Sequence, residues 1–161
     1  MAVQETIGDS AELAAQSSRQ FATFFVEDLF FGIDVLQVQE VLRYQEMTRV
    51  PLAQEVIEGL INLRGQIVTA VDMRRRLKLN PRAEGQTPMN TVVRTEEGAI
   101  SLLVDEIGDV VEVDAETFEP PPDNVDAAAR ELLRGVYKLK DRLLLILDTE
   151  KTIDIAAETH T

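Results

Sequence analysis

Asp72, Asp105 and Asp148 are the most regularly placed groups in this chain that could move a proton. Each closes an apolar strand-like run: Ile67 to Val71, Leu102 to Val104, and Leu145 to Leu147. Paired carboxylates could share acid–base work. The same position is where an Asp side chain caps the next turn by accepting from backbone N–H groups, and capping is the reading adopted for all three. Nucleophilic chemistry of the Ser-His-Asp kind needs a histidine within reach of its nucleophile. The single histidine, His160, stands one residue from the C-terminus, so no catalytic role is assigned. The chain has no cysteine, which removes disulfides, thiolate metal ligands and thiol nucleophiles together. Asp105-Glu106-Ile107-Gly108-Asp109 is too apolar for a calcium loop and lacks its closing glutamate. Gly59 and Gly65 have the wrong spacing for a phosphate-cradling loop and flank a strand. The expectation is a protein that is not an enzyme and carries no cofactor and no metal.

A second set of residues suits recognition. Gly59 to Arg74 reads as strand, tight turn, strand and helix start. Ile61 and Leu63 fall on one face of the first strand, with Leu60, Asn62 and Arg64 on the other. Gly65-Gln66 is read as the two-residue hairpin connection, with Gly first. An amide and a guanidinium then share one face of a greasy hairpin. An arginine there needs a carboxylate or carbonyl to hold, and Glu40 is the available partner. The pair would fix two strands, would supply a polar point in a binding groove, or would do both. Arg74-Arg75-Arg76 is read as a solvated helix face pairing with nearby acids, the alternative being a docking spot for an acidic partner.

The 161 residues, 45% hydrophobic, can bury a core as one domain or two small ones. A net charge of −13 repels phosphate backbones and anionic membranes, so neither nucleic acid nor direct membrane insertion is expected. The bland reading of the charge is solubility. No apolar stretch approaches the roughly 18 residues of a membrane span. The polar, Ala/Ser-rich start has no secretory pattern, and the absence of cysteine is compatible with a reducing cytoplasm.

The elements follow from periodicity. Residues 1–19 read as a flexible tail, with a transient helix around Ala11 to Gln16. Phe21 to Val26 and Leu29 to Val35 are strand-like, followed by a helical turn or bulge through Leu42. Thr48 to Val50 reads as a short strand and Gln54 to Glu58 as one helical turn. Asp72 should cap a helix from Met73 to Leu79. The polar loop Asn80 to Pro88 is the candidate boundary. Hairpins are expected about Glu96-Glu97-Gly98 and Lys140-Asp141-Arg142, with a strand at Val110 to Val113. Val125 to Leu132 has helical character, and Asp148 should cap a last short helix before a frayed end at 156–161. About ten strands, five on each side of the loop, fit two small all-β units better than one.

Three ordered motifs carry a resemblance. Phe31-Gly32-Ile33-Asp34-Val35-Leu36-Gln37-Val38-Gln39-Glu40-Val41 resembles "YGIDI-x-x-V-x-E-V". Thr48-Arg49-Val50-Pro51 resembles "T-x-V-P". Gly59 to Gly65 followed by Val71-Asp72-Met73-Arg74 resembles "G-x-x-N-L-R-G … V-D-L-R". Together, from about Phe21 to about Ile153, they resemble the CheW family of chemotaxis coupling proteins. The resemblance implies an all-β CheW-like fold with a few short helices: two intertwined five-stranded, SH3-like barrels, approximately 20–80 and 88–150, within a domain spanning 20–155. It implies a stand-alone, cytoplasmic adaptor in a two-component system, recruited to receptor arrays beneath the inner membrane. Its partners would be the regulatory domain of the histidine kinase CheA and the cytoplasmic tip of a methyl-accepting chemoreceptor. The implied receptor groove comprises Val35, Val38, Glu40, Val41, Asn62, Arg64, Val92 and Ile107. The implied kinase contacts are Met47, Thr48, Arg49, Pro121 and Asn124. Thr69 replaces a family proline, and the Pro120-Pro121-Pro122 loop lacks an obvious aromatic anchor. The alternatives are a coupler serving surface motility or second-messenger output and, more remotely, a small-ligand barrel.

Overall fold

The computed structural model describes residues 18–155. The transient helix at Ala11 to Gln16, the rest of the tail before Ser18, His160 and the end at 156–161 lie outside the described residues. The expected tail includes Ser18 and Arg19. Ser18 and Arg19 already belong to the first strand, opposite Asp114 and Val113.

The chain runs through a similar element order twice, with β8 and an extra short helix added in the second pass. In the first pass, β1 (Ser18–Val26) and β2 (Leu29–Asp34) form a hairpin, and a 3-10 turn (Val35–Gln37) leads into β3 (Val38–Leu42). A second hairpin, β4 (Ile57–Leu63) and β5 (Gln66–Asp72), ends in helix α1 (Met73–Arg76). In the second pass come β6 (Met89–Thr95), β7 (Gly98–Val104), β8 (Glu106–Ile107), β9 (Val111–Asp114) and a 3-10 turn (Ala115–Thr117). Helix α2 (Ala127–Arg130), β10 (Leu133–Lys138), β11 (Leu143–Leu147) and α3 (Thr149–Ile153) follow. The turn expected over Gln54 to Glu58 is a single one, closed by Ile57 N–H to Gln54 O at 2.9 Å, and strand begins at Ile57. Helix α1 stops at Arg76, three residues early, because Lys78 takes a left-handed conformation (φ 60°) that no helix can continue.

The strands make the expected all-β architecture of two sheets. One is ordered β3-β6-β7-β5-β4; the other is ordered β10-β11-β2-β1-β8, with β9 also paired to β1. Each pass therefore lends its opening hairpin to the sheet built from the later strands of the other. The borrowed hairpins dock by parallel pairing, β7 on β5 and β2 on β11. The loop at 80–88 divides the chain into two repeats but does not divide the sheets, since strands from both sides of it enter each one.

The repeat extends to single hydrogen bonds. Both β4 and β10 carry a bulge followed by glycine: Ile57 then Gly59 opposite Val71 and Ala70, Leu133 then Gly135 opposite Leu147 and Ile146. The segment after β3 returns to bridge β4, with Thr48 N–H donating to Leu60 O at 2.9 Å and Leu60 N–H to Thr48 O at 2.8 Å. Glu119, after β9, bridges Val136 on β10 in the same way, at 2.9 and 2.8 Å. Glycine is required beneath both bridges. A Cβ on Gly59 would stand 2.7 Å from Thr48 O, and one on Gly135 would stand 2.7 Å from Glu119 O. Asp72 and Asp148 each cap the helix that follows, through Arg74 N–H at 3.2 Å and Lys151 N–H at 3.1 Å.

Each sheet buries both faces. One face of each contributes to a shared core that includes Phe24, Phe31, Ile33 and Leu145 from one sheet and Val71, Val93, Leu102 and Val104 from the other. The opposite faces enclose separate clusters: Phe21, Phe30, Val113, Tyr137, Leu144 and Ile146 in the six-stranded sheet, and Ile61, Leu63, Val68, Ala70, Val92 and Leu103 in the five-stranded one. Strands buried on both sides read as continuous apolar runs rather than alternation, which explains Leu143 to Leu147.

Asp105 overturns the capping reading. It caps no helix and instead ties the sheets together where β7 passes into β8. Its Oδ2 accepts from Glu27 N–H at 2.7 Å in the β1–β2 turn, and Arg74 Nη2 donates to the same oxygen at 2.7 Å. Arg82 Nε lies 3.0 Å from Oδ1 as a charge contact, while Arg82 Nη1 donates to Asp72 at 2.9 Å. Burial pushes the Asp105 carboxyl up, but the Arg74 hydrogen bond, the Glu27 amide and the two guanidinium charges outweigh it and hold the carboxyl below its ordinary value. The arginine cluster is likewise not a solvated face. Arg74 and Arg76 are buried, and Arg76 Nε donates to Thr152 O at 2.7 Å at the end of α3. Only Arg75 is exposed, paired with Glu58 at 2.8 Å. A one-turn helix packed on the shared core through Met73 and Leu77 leaves its neighbours little room to reach water.

Candidate functional site

The site is built on the β4–β5 turn. Leu63 pairs with Gln66, so the connecting residues are Arg64 and Gly65, not Gly65 and Gln66. Both take positive φ, 53° and 86°, as a mirror-image hairpin turn requires. Asn62 selects this register, because its Oδ1 accepts from Gly65 N–H at 2.9 Å. Asn62 and Arg64 therefore do not share a strand face: Asn62 braces the turn and Arg64 projects from its tip. Ile61 and Leu63 point inward as expected.

The expected ion pair is present. Arg64 Nη1 and Nη2 donate to Glu40 Oε2 and Oε1 at 2.8 and 2.5 Å, a two-pronged match of fork to carboxylate. Glu40 lies on β3 and Arg64 at the end of β4, the two edge strands of the five-stranded sheet. The pair spans the gap between those edges, parallel to the Thr48–Leu60 bridge. The Arg64 hydrogen bond holds the Glu40 carboxyl below its ordinary value against the upward push of desolvation, and the Glu40 hydrogen bond raises Arg64 in turn. The Arg64 side chain stays 72% exposed and Glu40 17%, so the guanidinium faces outward while its partner is sheltered.

Beside this pair the chain crosses from one sheet to the other at Val35 to Gln37. Val35 is half-buried, and Val38 packs its inner side on the shared core. Val41 is 41% exposed and Leu36 81%. Leu36 was absent from the expected set, although its place between Val35 and Val38 in an apolar run was the available signal. Ile107 sits half-buried at the other crossing, on β8 of the six-stranded sheet. Val92 does not line a surface: it is fully buried among Ile61, Leu63, Val68, Ala70 and Leu103. Its side chain projects from the sheet face that this cluster covers, so it is closed off from the surface.

The expected kinase-contact residues fall at the two equivalent seams. Met47 packs over the inner cluster of the five-stranded sheet, Thr48 makes the bridge to Leu60, and Arg49 lines a cleft with Glu55, Glu58 and Arg75. Pro121 and Asn124 follow the equivalent bridge at Glu119. Phe118, 44% exposed, stands immediately before that bridge. Among the described residues no cluster of three or more His, Cys, Asp or Glu is gathered to hold a metal ion, and no helix is long and apolar enough to cross a membrane.

Comparison with known proteins adds to this geometry. The model of the CheW-like domain matches residues 20–157. The chain belongs to the CheW-like family. It is 30% identical over 144 residues to chemotaxis protein CheW of Klebsiella aerogenes, covering 89% of this chain and 87% of the relative. It is 28% identical over 139 residues to chemotaxis protein CheW of Bacillus subtilis, covering 86% and 89%. The crystal structure of the scaffolding protein TtCheW from Thermoanaerobacter tengcongensis superposes with a TM-score of 0.71 at 27% identity, covering 80% of this chain and 88% of that one. The family is one of adaptors and scaffolds, and the two-sheet architecture here is the CheW architecture.

Proposed function

We propose that this protein is a chemotaxis adaptor that couples methyl-accepting chemoreceptors to the histidine kinase CheA. The observation that carries the reading is the Glu40–Arg64 fork beside an exposed valine-and-leucine edge, in a chain of the CheW-like family. A receptor helix lays apolar side chains across Val35, Leu36, Val38 and Val41, a helix-in-groove mode. Arg64, held by Glu40, gives that helix its polar register, with Asn62 bracing the turn and Ile107 at the far crossing. The seams at Met47 to Arg49 and at Pro121 to Asn124 meet the similar barrels of the kinase regulatory domain. The adaptor works in the cytoplasm at receptor arrays, by binding alone. It transmits a signal because its complexes differ in free energy between receptor states.

Reconstituted arrays of receptor, kinase and adaptor test the reading. Sedimentation should carry the wild-type chain and the kinase down with receptor, and Val41→Glu should leave both in the supernatant while retaining its circular dichroism. Equal sedimentation of Val41→Glu would refute the groove assignment.

A further inference from the structure

The repeat inside the chain provides its own comparison. In the five-stranded sheet, Ile61 stands two residues after Gly59 and is 1% exposed in a dry cluster, with Met47 folded over it. The equivalent residues of the six-stranded sheet are Tyr137, two after Gly135, and Phe118, before the Glu119 bridge. They do not close in the same way. Tyr137 is 4% exposed, yet its hydroxyl hydrogen-bonds to none of the described residues and is not sealed from solvent. Phe118 stands beside it, ring centroids 5.2 Å apart, and Phe21 lies on the other side at 5.6 Å.

A cavity of about 400 Å³ opens here, within the size range of small-ligand pockets. Its walls are Phe21, Phe118, Tyr137 and Ile146, and its rim carries Arg19 and Arg134. Arg19 pairs with no acid among the described residues. Arg134 is 55% exposed and holds Asp148 only loosely, at 3.6 Å. Asp34, the one acid of the lining, is engaged through Oδ1 by Leu36 N–H at 2.9 Å. Burial raises the Tyr137 phenol, with the Arg19 charge opposing it and the Asp114 charge adding to it. The phenol therefore keeps its proton and can donate.

We infer that this mouth is a binding site for a small organic carboxylate with an aromatic body. The three rings take the aromatic part, Arg19 and Arg134 take the carboxylate, and the Tyr137 hydroxyl donates to it. A hydroxyl with no partner among the described residues, beside one guanidinium without an acid among them and one held only at 3.6 Å, gives such an anion donors to meet. The pocket does not include Glu40 or Arg64, but Asp34 and Gln37 of its lining flank Val35 and Leu36, and Phe118 stands beside the Glu119 bridge.

The probe is phenylacetate, with benzyl alcohol as its uncharged counterpart, titrated into the full chain and followed by NMR. Saturable shifts should centre on Phe21, Phe118, Tyr137 and Ile146 and leave Ile61 and Leu63 unmoved. Losing charge-assisted bonds should make benzyl alcohol, and phenylacetate with the Arg19→Ala/Arg134→Ala variant, bind about tenfold more weakly. Both arginines are surface groups, so signal dispersion should be retained, and Tyr137→Phe gives a second variant with a smaller loss. The inference is overturned by the absence of saturable shifts up to about 10 mM phenylacetate. Shifts spread over the whole surface, or unchanged affinity in the arginine variant, overturn it equally.

Discussion

Arg64 holds a left-handed backbone that arginine rarely adopts, and it places its charge on Glu40 across the gap between two edge strands. Exposed pairs contribute little to stability, so Arg64→Ala should melt close to the wild type while weakening receptor binding. Arg64→Lys should recover only part of that binding, because a point charge cannot reproduce the fork. A melt that collapses in Arg64→Ala would make the residue purely structural. Asp105 is the opposite case, with its side chain 6% exposed. Its carboxyl ionises at lower pH in the folded chain than in the unfolded one, where the ordinary value is 3.8. Its stabilisation is therefore complete above that pH and lost as pH falls through the depressed folded value. Acid titration of the melting temperature should show this loss below about pH 3.8, and Asp105→Asn should flatten that limb. Unchanged acid sensitivity in Asp105→Asn would contradict the clamp. The Glu40–Arg64 pair was legible because an arginine beside an apolar strand needs an acid, and Glu40 was the one at hand. The turn register was not, because the Asn62 side chain, rather than the glycine position, selects it. The role of Asp105 was hidden too, since its partners Arg74, Arg82 and Glu27 come together only after the strands exchange.

At the scale of elements, the two glycine seams are the sharpest test. Gly59→Ala and Gly135→Ala each drive a methyl against a backbone carbonyl that cannot move without breaking its bridge. Overpacking of this kind costs about 1–3 kcal/mol, readable as a lower denaturant midpoint with an unchanged slope. A wild-type midpoint in both variants would show that the Thr48 and Glu119 bridges yield freely. The hairpins and both true caps could be read from residue type alone. The strand hydrophobicity of Leu143 to Leu147 and of Val68 to Val71 could be read as well, but not that both faces are covered. The arginine run misled for the same reason: a three-residue charge cluster looks solvated until the shared core and the α3 carbonyls close around it.

For the whole molecule, the exchange of hairpins makes the two sheets one folding unit. Residues from both sheets pack in the shared core, so neither repeat has a complete sheet of its own. Unfolding should be a single transition whether followed at Tyr137 or by far-ultraviolet dichroism, and a chain ending at Asn80 should not fold. Two resolved transitions would contradict this. Sequence periodicity pointed to two β units and placed their repeat boundary at 80–88. It could not show that the strands cross that boundary, because pairing partners leave no local trace. In the proposed reading this pair of sheets presents the Val35–Val41 edge and the Arg64 fork as one receptor-binding surface. The most direct measurement is calorimetric titration of a receptor-tip helical hairpin into the wild type, Val41→Glu and Arg64→Ala. Binding to the wild type, weaker binding to Arg64→Ala and none to Val41→Glu are expected, with all three folded. Equal affinity for all three would contradict that reading.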